Sequence, residues 1–130
     1  MSGFGVTPTI RVRDMAAALA FYSGPLEFTI ERKDAGNSAL ERGDARVMQE
    51  TDQGFYGDEY NAAIRERLGT PSSMSLYIEA SDLAGFQSRL QAAGVRIIDP
   101  LADRPWGQAE FTVEDHEGNW LSFWAAVGAE

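Results

Sequence analysis

The chain has 130 residues, no cysteine and a net charge of −9, with 44% of its residues hydrophobic. That length can bury one core without staples, and that apolar content belongs to folded chains rather than disordered ones. Without cysteine there is no disulfide, thiolate metal site or cysteine nucleophile, and the acidic balance speaks against a nucleic-acid surface, which binds through Lys and Arg. The same acidity is compatible with attracting a cationic small molecule, or with serving solubility alone. The opening MSGFGVTPTIRV has no basic start leading into a long apolar run, and no stretch approaches spanning length. No secretory signal and no membrane partner are expected, and the expected location is cytoplasmic.

In chain order, Thr9-Ile10-Arg11-Val12-Arg13-Asp14 reads as a short alternating strand ending on a helix-capping Asp. Met15, Leu19 and Tyr22 follow at helical spacing, and Gly24-Pro25 ends the run. Strands are predicted at Leu26 to Ile30, Ser38 to Glu41 and Ala45 to Thr51, the last after the turn Arg42-Gly43-Asp44. Residues 52–73 form a glycine-bearing linker with a short helix predicted over Glu59 to Leu68. Within it, Gly54-Phe55-Tyr56-Gly57 reads either as an aromatic lid or as a surface loop.

The first pattern then returns. Tyr77-Ile78-Glu79-Ala80-Ser81-Asp82 aligns with residues 9–14, and Leu83, Phe86, Leu90 and Ala93 mark a second helix stopped by Gly94. Strands follow at Val95 to Ile98, Ala109 to Val113 and Trp120 to Ala125, the last after Asp115-His116-Glu117-Gly118-Asn119. His116, the only histidine, is expected to be an exposed turn residue. The predicted fold class is α+β, a single domain over residues 1–130. Two tandem βαβββ modules, about 5–51 and 74–126, should form a curved mixed sheet around a cavity.

Alternation assigns the strand faces. Ile10 and Val12, Leu76 and Ile78, and Leu121 and Phe123 should pack under the helices. Thr7, Thr9 and Arg11, then Ser75, Tyr77 and Glu79, then Trp120, Ser122 and Trp124 fall on the opposite face. Arg46, Met48 and Glu50 share one face of their strand. A surface of Trp, Tyr, hydroxyls and carboxylates suits a concave ligand site, the alternative being the interface with a second subunit.

Several segments resemble one known family. Phe21-Tyr22 with Leu26-Glu27-Phe28, Ala39-Leu40-Glu41-Arg42-Gly43-Asp44-Ala45 and Val47-Met48-Gln49-Glu50 are similar to the opening module of the vicinal oxygen chelate superfamily. That superfamily comprises glyoxalases, bleomycin resistance proteins and extradiol dioxygenases. Pro105-Trp106-Gly107, Phe111-Thr112-Val113 and residues 115–119 resemble its closing module, where Pro usually stands at the position of His116. In metal-dependent members, His, Gln or Glu project from four strands. Carried over, those places are Thr7, Met48, Ser75 and Ser122, none a usual ligand for a divalent cation. Glu50 and Glu79 lie on the same faces as Met48 and Ser75, but two carboxylates without histidine hold a transition metal weakly.

The pattern resembles the bleomycin-resistance-like branch. The resemblance implies metal-free, cofactor-free capture of an aromatic, cationic, antibiotic-like ligand by a homodimer. The expected ligand-binding residues are Thr7, Thr9, Arg46, Met48, Glu50, Ser75, Tyr77, Glu79, Trp106, Trp120, Ser122 and Trp124. The alternative is a glyoxalase-like lyase or isomerase, either metal-dependent or using Glu50 or Glu79 as general base.

Overall fold

The structure is a computed structural model that describes residues 5–52 and 56–129. Gly54 and Phe55 of the expected lid lie outside the described residues. The chain divides into two compact units, Met1–Gly69 and Thr70–Glu130. The first carries β1 (Thr9–Arg11), α1 (Met15–Ser23), β2 (Thr29–Lys33), β3 (Asn37–Arg42), β4 (Ala45–Glu50) and α2 (Asp58–Arg67). The second carries β5 (Leu76–Glu79), α3 (Leu83–Ala92), β6 (Arg96–Asp103), β7 (Gln108–Glu114) and β8 (Trp120–Ala126).

Each unit has one four-stranded mixed sheet, ordered β1-β4-β3-β2 and β5-β8-β7-β6. In both, the first strand pairs in parallel with the last and the remaining pairs are antiparallel. The fold is α+β, built from two repeated βαβββ modules. The repeat extends to the caps: Asp14 accepts a hydrogen bond from Ala17 N at 3.2 Å, and Asp82 from Gly85 N at 3.3 Å. Each carboxylate satisfies an amide that the first helical turn leaves unpaired.

The predicted register holds. Ile10 and Ile78 are each only 6% exposed, whereas Tyr77 is 51% exposed. Because a one-residue slip reverses every side chain, these residues fix both sheet faces. Helix α1 packs on β2, β3 and β4 through Met15, Ala18 and Tyr22. Helix α3 sets the Phe86 ring 4.9 Å from that of Phe123 and 5.8 Å from that of Phe111. Burying such a side chain contributes about 1.5–3 kcal/mol. This is where the core lies.

Strand β6 runs to Asp103, five residues past its expected end at Ile98, and two other stretches differ from the sequence-based expectation. Strand β2 begins at Thr29, three residues later than predicted, because the amides of Leu26, Glu27 and Phe28 return to carbonyls of Phe21, Gly24 and Tyr22. The apolar residues there close the end of α1 instead of extending a strand, with the Phe28 ring 5.5 Å from Tyr22. The second difference is His116, which is half-buried rather than exposed. Asp115 Oδ1 accepts from the amides of Glu117 and Asn119, and Asn119 Oδ1 accepts from Ser72 N at 2.6 Å. The end of the linker thus lies over the turn. At Gly118, with φ +91°, an added Cβ would sit 2.8 Å from Pro71 Cγ.

Candidate ligand-binding face

On the first unit's open sheet face, the buried carboxylate and the linker helix are tied together. In the parallel pair β1–β4, Arg11 lies opposite Glu50 and Thr9 opposite Met48. Glu50 is 3% exposed, and its Oε1 lies 2.8 Å from Arg11 Nε and accepts from the Tyr60 hydroxyl of α2 at 3.1 Å. Arg65 of the same helix pairs with Asp52 at 2.8 Å. Arg46 is held by Glu31, with both nitrogen–oxygen contacts at 3.1 Å. The linker helix therefore rests on this face. A cation and a hydroxyl donor against a buried carboxylate offset the cost of taking it out of water.

The second unit leaves the equivalent face open. In β5–β8, Glu79 lies opposite Trp124 and Tyr77 opposite Ser122. The Tyr77 and Trp124 rings stack, with centroids 5.8 Å apart and planes 13° off parallel. The Tyr77 hydroxyl is hydrogen-bonded to Gln108 Oε1 at 2.8 Å and to a Glu110 carboxylate oxygen. Desolvation pushes the Tyr77 phenol above its ordinary value of 10.0, and Glu110 adds to the rise while Trp106 and Arg104 oppose it. Glu110 sits 3.7 Å from Arg104, which bonds more closely to Asp99 at 2.6 Å. Among the described residues, Glu79 has no ion-pair partner. Trp120, on the same face of β8, is exposed, as is Trp106 in the β6–β7 turn.

Tyr77, Glu79, Ser122 and Trp124 thus come together on the second sheet, with Trp106 beside Tyr77 and Trp120 farther along β8. Thr9, Arg46, Met48 and Glu50 share the first sheet's open face. Thr7 and Ser75 lie on exposed backbone just ahead of β1 and β5. The residues missed from sequence are Gln108 and Glu110. Alternation along β7 contained the signal, since both lie on the face opposite Ala109, Phe111 and Val113.

Divalent-metal chemistry needs imidazole or carboxylate donors. The places that would supply them hold Met48, two exposed hydroxyl residues, and Ser122, whose Oγ is 2.7 Å from Thr112 Oγ1. Among the described residues, no three His, Asp or Glu side chains gather in a metal-binding group. The donor set does not fit a divalent cation.

Tandem βαβββ modules with an open aromatic face define a fold class. The profile of the Glyoxalase/Bleomycin resistance protein/Dioxygenase superfamily matches residues 6–123, and the chain belongs to that superfamily. No curated protein matches the sequence significantly. Among solved structures, a bleomycin resistance determinant encoded on transposon Tn5 is 24% identical, with TM-score 0.70, over 95% of this chain and 98% of that one. A bleomycin-binding protein complexed with bleomycin is 25% identical, with TM-score 0.67, over 94% and 98%. TioX from Micromonospora sp. ML1 is 21% identical, with TM-score 0.72, over 95% and 99%. No described helix is long and apolar enough to cross a membrane.

Proposed function

We propose that this protein captures a planar aromatic cation on the open face of the second sheet, reversibly and without a metal or other cofactor. The observation that carries this reading is the stack of exposed Tyr77 on half-buried Trp124, beside Glu79, which has no ion-pair partner among the described residues. A stacked aromatic pair offers a flat platform, and its ring faces attract positive charge by ~0.5–2 kcal/mol per contact. Glu79 and Glu110 add carboxylates, against which Arg104 is already engaged by Asp99. Two such contacts with apolar burial reach micromolar affinity, about 8 kcal/mol. The similar bleomycin-binding protein, whose structure holds bleomycin, supports an antibiotic-like ligand.

The active unit is a homodimer, a reading supported by exposed Trp106, Trp120, Met74 and Val127. Sedimentation at micromolar concentration should give twice the chain mass; a monomer contradicts this part. Calorimetry tests the ligand class by comparing 9-aminoacridine with 9-anthracenecarboxylate, before and after treatment with a chelator. The cation should bind more tightly, the difference should shrink at high salt, and chelation should change nothing. Equal or tighter binding of the anion contradicts the proposal and favours an enzyme using Glu79 as base on a carboxylate substrate.

A further inference from the structure

The first unit contains a cleft of about 330 Å³ lined by Arg11, Tyr60, Ala63, Ile64 and Arg67. We propose that it is a second binding site, specific for a small carboxylate with a short apolar tail.

Among the described residues, two cationic side chains reach its wall and no acidic one does. Arg11 Nε lies 2.8 Å from Glu50 Oε1 as an ion pair, and its terminal amino groups have no partner among the described residues. Arg67 donates from Nη1 to Ala63 O at 3.1 Å and has no carboxylate partner among the described residues. That is notable in a chain where 20 acids face 11 bases, and where Arg32, Arg42, Arg46, Arg65, Arg89, Arg96 and Arg104 are all paired with acids. A planar guanidinium matches a carboxylate through two parallel hydrogen bonds.

Two opposing charges must be overcome. Glu50 contributes one negative charge next to Arg11, and the C-terminal end of α2 carries about half of another. Against two guanidiniums these leave the cleft positive by about half a charge. The net attraction is modest, so binding is expected to be weak but saturable. Ala63 and Ile64 form the apolar wall for the tail, and the volume lies at the low end for ligand pockets.

The test follows the arginine Nε–Hε signals by NMR during titration with butyrate, with chloride holding ionic strength constant. The signals of Arg11 and Arg67 should shift saturably. Arg67→Gln should weaken binding about tenfold, as should Ala63→Leu, which fills the cleft and keeps both charges. Arg65→Gln, which alters a pair outside the lining, should bind like the unsubstituted chain. Linear shifts, or wild-type affinity in both Arg67→Gln and Ala63→Leu, would overturn the site. Tighter binding of inorganic phosphate than of butyrate at the same ionic strength would overturn the carboxylate assignment.

Discussion

The two modules share one topology but answer the same position differently. Where β1 meets β4 in parallel, Arg11 faces Glu50; where β5 meets β8, Glu79 faces Trp124. The first pair neutralises itself and is covered by Tyr60 from α2. The second pair leaves a carboxylate with no ion-pair partner among the described residues next to a stacked ring. A duplicated fold therefore does not duplicate its site: one copy covers its Arg11–Glu50 pair with α2 and keeps only a cleft beside that helix, and the other leaves the whole aromatic face open. The contrast lies in side chains, because strand order and pairing are the same in both.

The contrast can be broken most severely at Arg11. Arg11→Ala strands the buried Glu50 carboxylate, and removing one partner of a buried pair typically costs 3–5 kcal/mol. Arg11 is itself 34% exposed and Tyr60 remains, so a loss of about 2–3 kcal/mol is expected in urea denaturation. Glu79→Gln, in the other module, should leave stability within about 0.5 kcal/mol. It should instead weaken binding of 9-aminoacridine about fivefold and flatten the salt dependence. A large loss of stability there would mean that Glu79 is structural.

The matched tyrosines sharpen the comparison. Tyr60→Phe removes a hydrogen bond to a buried carboxylate and should cost about 1–2 kcal/mol. Tyr77→Phe removes a bond on a half-exposed face and should cost less than about 0.5 kcal/mol. The smallest effect is the response to alkali. The Tyr77 phenol is held above 10.0 in the fold, so the folded chain keeps a proton that the unfolded chain has lost. Its contribution to stability is complete below pH 10 and falls away as pH rises through the raised value. Phenolate absorbance should show a late step, and Tyr77→Phe should lower its amplitude by one tyrosine.

The periodicity of residues 9–14 and 77–82 exposed the duplication, and alternation placed Ile10, Ile78, Tyr77 and Trp124 on their proper faces. The β2 boundary was hidden because Leu26 and Phe28 are as apolar as strand residues, and only their backbone bonds to α1 show otherwise. The fate of Glu50 was equally hidden. Its position on the open face follows from spacing, but the Arg11 and Tyr60 contacts depend on where α2 packs. Charge pairing across elements carries no periodic signal, so Glu50 and Glu79 looked alike in the sequence and differ in the fold.

All three tryptophans, Trp106, Trp120 and Trp124, belong to the second unit, so intrinsic tryptophan fluorescence reports on that module directly. Titration with 9-aminoacridine, followed by that emission, tests the central claim. Saturable quenching with the affinity measured by calorimetry is predicted, weakened at least tenfold in Trp124→Ala and unchanged in Tyr60→Phe. Calorimetric binding that leaves the tryptophan emission untouched, or that survives Trp124→Ala at full strength, would contradict the assignment of the ligand to this face.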